Sequence, residues 1–287
     1  MRILRPEAGL YAFYDGRVEG YRFADGPNWV DEGALTLGIA SYALLSGEHA
    51  LVYDTHTTIE HGRLVREALE RAGARQFTVV LSHWHLDHVA GTEAFAGAEV
   101  IASERTAELL GEKRAAIEHG ELEGPPPIDP LILPTRTYAG RLRLDIPEPV
   151  ELIHTDIHSD DATVLWLPER RLLLCGDTME DTVTFVDEPD HFPSHLANLE
   201  VLRSLGAKRI LPNHGSPAVI ESEGYTTGLI LATEDYIRTL QRVVDEPSLR
   251  DAPLRDLIAG ALEAGWIRYF APYEAVHRHN VETVLSA

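Results

Sequence analysis

The chain has 287 residues, 44% of them hydrophobic, which is enough for one large core or two small ones. Its formal charge of −21, from 46 acidic and 25 basic residues, repels a phosphate backbone and argues against nucleic acid as a partner. The first residues hold no apolar segment like a signal peptide, and no stretch approaches the roughly 18 consecutive apolar residues of a membrane span, so the expectation is a cytoplasmic protein with no membrane partner.

Leu10–Tyr14 reads as a short strand. Ile39–Leu45 and Ala50–Tyr53 flank Ser46-Gly47-Glu48-His49 and suggest a hairpin. Leu64, Val65, Ala68 and Leu69 mark one helical face, and Gly73 stops it. The run Phe77–Leu81 has the length and β-branched content of a buried strand. Residues 89–123 read as mostly helical around a short strand at Val100-Ile101, and Pro125-Pro126-Pro127 breaks that pattern. Residues 124–150 read as loop and edge strand. Either residues 104–150 or residues 181–195 could supply a lid over a site, since long irregular segments often do.

The second half repeats the theme. Val150–Ile153 is a strand; Thr163–Leu167 and Arg171–Leu174 flank a Pro168-Glu169-Arg170 turn. The lone cysteine, Cys175, continues that last run and excludes an intrachain disulfide. Leu196, Leu199, Leu202 and Leu205 form a helical stripe with Ser194 as its cap. Arg209–Pro212 is a last strand, residues 226–244 a helix, and two shorter helices follow. No linker divides the chain, so residues 1–287 are expected to form one α/β domain, with two sheets packed face to face and helices outside.

Chemistry concentrates at His83-Trp84-His85-Leu86-Asp87-His88, four ligand-type side chains in six residues directly after a strand. His83 and His85 are two apart and project to one side of an extended backbone. Asp87 and His88 follow as the chain turns toward Gly91 and can face a second ion. One ion does not need four ligands so close together; two ions roughly 3.5–4 Å apart do. Three later segments also place ligand types just after strands: His158, Asp177 and His214.

This motif set resembles the metallo-β-lactamase superfamily of metal hydrolases over about residues 10–220. The HxHxDH signature is complete at residues 83–88, and a His, an Asp and a His follow in the family's order. Asp54-Thr55 is similar to the family's DTG turn, with His56 in place of glycine. The resemblance implies a four-layer αβ/βα sandwich, two mixed β-sheets flanked by helices, with residues 221–287 as a C-terminal helical extension. It also implies that His83, His85 and His158 hold one metal, that Asp87, His88 and His214 hold a second, and that Asp177 bridges both. Two Zn2+ suit these ligands, with Fe or Mn also admitted. A bridging hydroxide would then attack a small carbonyl substrate (an ester, lactone, thioester or β-lactam), with Asp87 and Asp177 as the catalytic carboxylates. His158 is preferred to His154 because Asp161 and the strand after it match the family pattern, although the usual proline-glycine is replaced by Asp156-Ile157.

Other histidines carry less. His56 and His61 are expected to be solvated or to pack behind ligands. His191 and His195 flank Phe192-Pro193 in what reads as a loop that could touch substrate. His277 and His279 lie among Trp266, Tyr269, Phe270 and Tyr273, which are read as packing, and Asp160-Asp161 as a hydrogen-bonding turn. Few cationic residues lie near the motifs, which favours a neutral ester or lactone. The alternative on the same scaffold is an iron-dependent oxidoreductase such as a sulfur dioxygenase; a nuclease is disfavoured by the charge. Homo-oligomerisation is left open.

Overall fold

The computed structural model describes every residue but Glu123. β1 (Arg2–Glu7), β2 (Leu10–Asp15), β3 (Ile39–Ser46) and β4 (His49–Tyr53) run as an antiparallel meander. β5 (Gln76–Val80), β6 (Glu99–Ser103) and β7 (Arg136–Tyr138) extend the same sheet in parallel. The second sheet runs β12-β11-β10-β9-β8: β8 (Arg141–Leu144), β9 (Val150–His154), β10 (Thr163–Leu167) and β11 (Leu172–Gly176) are antiparallel, and β12 (Arg209–Pro212) is parallel to β11.

The strand period of two builds the layers. Tyr42, Leu44, Leu51 and Tyr53 share one buried cluster with Leu152, Val164 and Leu174, which is the core between the sheets. Their sequence neighbours Ala43 and Val52, with Val79 of β5, face the other way, onto Val65 and Leu69 of the helix Ile59–Arg71 and Leu110 of the helix Glu104–His119. β10 and β11 are buried at every position, as strands covered on both faces must be. Both helices of the first layer are capped as their sequences dictate. The hydroxyls of Thr58 and Ser103 accept from the amides of His61 and Thr106, and Gly120 closes the second helix in the left-handed region at φ 68°. The result is the expected arrangement of two mixed sheets flanked by helices, with further helices at the C-terminus. Among the described residues no helix is long and apolar enough to cross a membrane.

Several local expectations need correction. An edge strand precedes Leu10: Arg2–Glu7 pairs with β2. Its burial is irregular, so it lacked the clean apolar alternation that reveals a strand. Residues 124–150 hold two edge strands, β7 and β8, and these belong to different sheets. The helix Phe192–Ser204 starts before Ser194, with Pro193 in its first turn, so Ser194 is not its cap. After the helix Gly228–Val243 come the short helices Pro247–Arg250, Leu254–Leu257 and Ala259–Glu263, then the longer Tyr273–Ser286.

Candidate metal centre

Four strand ends meet along one edge of the sandwich. β4 and β5 are parallel, so the chain leaves both on the same side, at Asp54 and at Ser82-His83. β11 and β12 are parallel in the other sheet and deliver Asp177 and His214. Tyrosines from the first sheet pin the second in place: Tyr42 Oη donates to Pro212 O at 2.6 Å, Tyr53 Oη to Thr163 O at 2.6 Å, and Tyr14 Oη to Gly215 O at 2.8 Å. Gly176 has φ +56°, and a Cβ there would stand 2.9 Å from the Tyr53 hydroxyl oxygen; only glycine lets β11 hand over Asp177 at this contact.

The structure brings all seven expected side chains together in two groups. One ligand atom from each of His83, His85 and His158 lies within 4.8 Å of the others, and the same holds for Asp87, His88, Asp177 and His214. Asp177 faces both groups. Its Oδ2 is 2.9 Å from His88 Nε2 and 3.4 Å from His214 Nε2, and 3.9 and 4.0 Å from His83 Nε2 and His158 Nε2. Asp87 Oδ2 is 3.4 Å from His214 Nε2 and 3.6 Å from His88 Nε2. His154 stays on β9 with Nε2 2.8 Å from the Asp160 carbonyl, whereas His158, at φ 71°, turns its ring in to place Nε2 3.1 Å from His85 Nδ1.

The far nitrogens of these rings are held. His158 Nδ1 lies 3.1 Å from Phe185 O, His214 Nδ1 2.8 Å from Gly38 O, and His83 Nδ1 2.8 Å from Ser82 Oγ. Asp54 is the hub behind them. It is fully buried, accepts from the Ser82 amide and hydroxyl at 2.7 Å each and from Asn213 Nδ2 at 2.6 Å, and lies 3.0 Å from His88 Nδ1. Asp161 accepts from the Trp84 amide at 2.9 Å and from the Ser159 hydroxyl, and Asp160 pairs with Arg105 at 2.8 Å. Those two acids fix loops, as a turn-forming pair should.

The two groups differ in electrostatics. Burial, reinforced by the neighbouring imidazoles, pushes His83 well below the usual histidine range and His85 down to about 4. Burial also opposes charge on His88 and His214, but the Asp177 carboxylate and its neighbours outweigh it and hold both imidazoles well above that range. His83 Nε2, 3.9 Å from Asp177 Oδ2, and Asp177 Oδ1 are buried with no hydrogen-bond partner among the described residues. Orphaned buried polar atoms are costly, and a cation between them removes that cost. The donor set of imidazoles and carboxylates therefore fits metal ions.

A cavity of about 450 Å³ opens above the cluster, and His85, Asp87, His158, Asp177 and His214 line it. The rest of its wall is largely apolar: Trp29, Leu37, Trp84, Leu86, Leu122 and Phe185, with Asp187 and Glu180. Both expected lid segments contribute, through Leu122 and Pro125 and through Phe185 and Asp187. Residues 29–37 form a third wall that had no signal in the sequence, since a run of nine residues interrupted by Asp31, Glu32 and Gly33 is too short to show a period. Glu180 also escaped notice. It is buried, accepts from Tyr273 Oη at 2.8 Å and the Phe185 amide at 2.9 Å, and burial pushes its carboxyl up to about 7. Asn213 could have been found from its place beside His214.

The remaining histidines sit elsewhere. His56 and His61 are not solvated: both are buried and stacked at 4.4 Å, with His61 Nε2 3.2 Å from Asp15 Oδ2. His191 ends the short 3-10 turn Pro189–His191 and His195 lies in the first turn of the helix Phe192–Ser204, so they do not sit in an open loop, and neither lines the cavity. His277 packs with its Nδ1 2.9 Å from Tyr236 Oη, and His279 stacks on Phe185 at 4.4 Å.

Residues 35–214 match the metallo-β-lactamase superfamily, and the chain belongs to that family. Over 188 residues it is 28% identical to the β-lactamase-like protein 2 homologs of Caenorhabditis elegans and Drosophila melanogaster. Each match covers 64% of this chain and 58% and 61% of the relatives, so the chain spans about three fifths of their length. Solved structures of similar fold include the DIM-1 metallo-β-lactamase (TM-score 0.60, 18% identity, 83% of this chain and 96% of that one). A metallo-β-lactamase from Pontibacter korlensis is similar as well (TM-score 0.61, 19% identity, 83% and 98%). At such identities the likeness speaks for the fold alone.

Proposed function

We propose that this protein is a dinuclear zinc hydrolase acting on a small, uncharged carbonyl compound, an ester or lactone before a thioester or β-lactam. The observation that carries the reading is the convergence of five imidazoles and two carboxylates at the floor of an apolar cavity, with His83 Nε2 and Asp177 Oδ1 left unpartnered. His83, His85 and His158 would hold one ion, Asp87, His88 and His214 the other, and Asp177 both. Two divalent cations so held supply Lewis acidity to a carbonyl oxygen and acidify the attacking water.

The chain's own groups then do the rest. Asp87 Oδ2, at the cavity floor and close to two imidazoles, is placed to accept the proton of the attacking water. Asp54, through its contact with His88 Nδ1, orients that ring. Trp29, Trp84, Leu122 and Phe185 exclude bulk water and bury the apolar part of a substrate. Among the described residues no lysine or arginine lines the cavity, and Asp187 and Glu180 do, which supports an uncharged substrate over an anionic one. The names of the two relatives put β-lactams in the test panel.

The test is metal analysis of protein purified without added metal, followed by hydrolysis of uncharged lactones and aryl esters, β-lactams and RNA. Two zincs in the cavity and turnover of lactone or ester support the reading. Iron with oxygen uptake on a thiol persulfide overturns it in favour of a dioxygenase, and cleavage confined to RNA overturns it in favour of a nuclease.

A further inference from the structure

A second group of ligand types lies outside the cavity. Asp156, Glu188, His191 and His195 each offer one oxygen or nitrogen, and these atoms lie within 4.8 Å of one another. Asp156 comes from the loop after β9, Glu188 from the segment before the short 3-10 turn Pro189–His191, His191 from the end of that turn, at the N-cap of the helix Phe192–Ser204, and His195 from that helix's first turn.

An ion pair explains only part of the group. His191 Nδ1 is 3.0 Å from Asp156 Oδ1, an ordinary contact. His195 is different: it is fully buried, and neither ring nitrogen has a hydrogen-bond partner among the described residues, although Nε2 lies 3.5 Å from Asp156 Oδ1. Glu188 Oε2 is also buried without a partner and lies 3.9 Å from His191 Nδ1. Buried imidazoles and carboxylate oxygens are normally satisfied. Bonds of about 2.0–2.2 Å from four N and O donors to a tetrahedral zinc put neighbouring donors about 3.3–3.5 Å apart. The separations here of 3.0, 3.5 and 3.9 Å bracket that value. Two carboxylates balance a divalent charge, and two neutral imidazoles complete the set. His191 is 42% exposed and lines a surface groove with Glu188 and Asp190, which gives an ion a path from solvent.

We propose that Asp156, Glu188, His191 and His195 form a structural zinc site of their own, separate from the cavity. An ion there ties the start of the helix Phe192–Ser204 to the loop that carries His158 two residues beyond Asp156. It also fixes the segment whose neighbour, Asp187, stands in the cavity wall. The inference does not rest on the function proposed for the cavity.

The experiment is equilibrium dialysis of the full chain against buffered free Zn2+, with zinc per chain read by mass spectrometry. The parent, Asp177→Ala, His191→Gln and His195→Gln are compared. The expected result is one zinc fewer per chain in His191→Gln and in His195→Gln than in the parent, and retention of this zinc in Asp177→Ala. If the cavity held no metal at all, the parent would still bind one zinc and His191→Gln none, so the two readings fail separately. The half-exposed His191 carries the test should His195→Gln not fold, with near-ultraviolet circular dichroism as the check. An unchanged zinc count in folded His191→Gln overturns the proposal.

Discussion

His83, His85 and His158 make a group with no carboxylate of its own, and burial there drives the imidazoles toward neutrality. Asp87, His88, Asp177 and His214, a few ångströms away, make a group in which two carboxylates hold two imidazoles protonated against the same burial. In the first group burial disfavours charge, and His158 Nε2 and His85 Nδ1 meet at 3.1 Å; the second is an internally compensated ion cluster. A cation entering the first displaces only the proton of the His85–His158 contact, whereas one entering the second must displace the protons that the carboxylates hold on His88 and His214. One sandwich edge thus carries two ligand groups of opposite electrostatic character, with Asp177 as the shared wall.

The largest effect should come from that wall. Asp177→Ala is expected to lower turnover by at least about 10³-fold and to reduce metal in both groups, since each loses a neighbour it shares; kinetics with metal analysis on the same sample check it. Next come variants that separate the groups. His83→Ala should lose about one equivalent of metal from the carboxylate-free side, and His214→Ala one from the other. The ion kept in His83→Ala should bind with the steeper pH dependence, because it must displace protons; equal pH dependence in the two variants would erase the distinction.

A smaller effect is expected one layer back. Asp54→Asn keeps its size but loses the charge facing His88 Nδ1, and metal affinity should fall by about 10–100-fold with full stoichiometry at saturation. Smaller still is a pH effect in metal-free protein. Burial raises Glu180 from 4.5 to about 7, so the folded state keeps a proton that the unfolded chain releases earlier. Its contribution is complete below pH 4.5 and is lost as pH rises through 7. Glu180→Gln should flatten the fall in stability across that window, by an amount on the order of 1–3 kcal/mol, read from urea unfolding at several pH values. His154→Ala, whose ring Nε2 meets the Asp160 carbonyl and joins neither ligand group, should leave metal content nearly unchanged, in contrast to His158→Ala.

Much of this was legible in the chain because the signals are local. The run Phe77–Leu81 and the cluster at 83–88 sit within a dozen residues, so strand and ligands announce each other. The buried strands of the second sheet read as apolar runs for the same reason. Asp54 was visible as a turn but not as the hub behind His88, since its partners Ser82 and Asn213 are remote in sequence. The cavity wall of residues 29–37 and the partnership of Glu180 with Tyr273 were silent too, because each depends on segments that meet only after the sheets pack.

By itself the sequence determined the alternation of strands and helices and the identity of the ligand-type side chains, because period, turn chemistry and residue type are properties of neighbours. Only the tertiary structure decided how β7 and β8 divide between two sheets, which histidines turn inward, and that Asp156 meets His195. Those outcomes depend on distances between chain segments far apart in sequence, which are fixed when the cores close and not before.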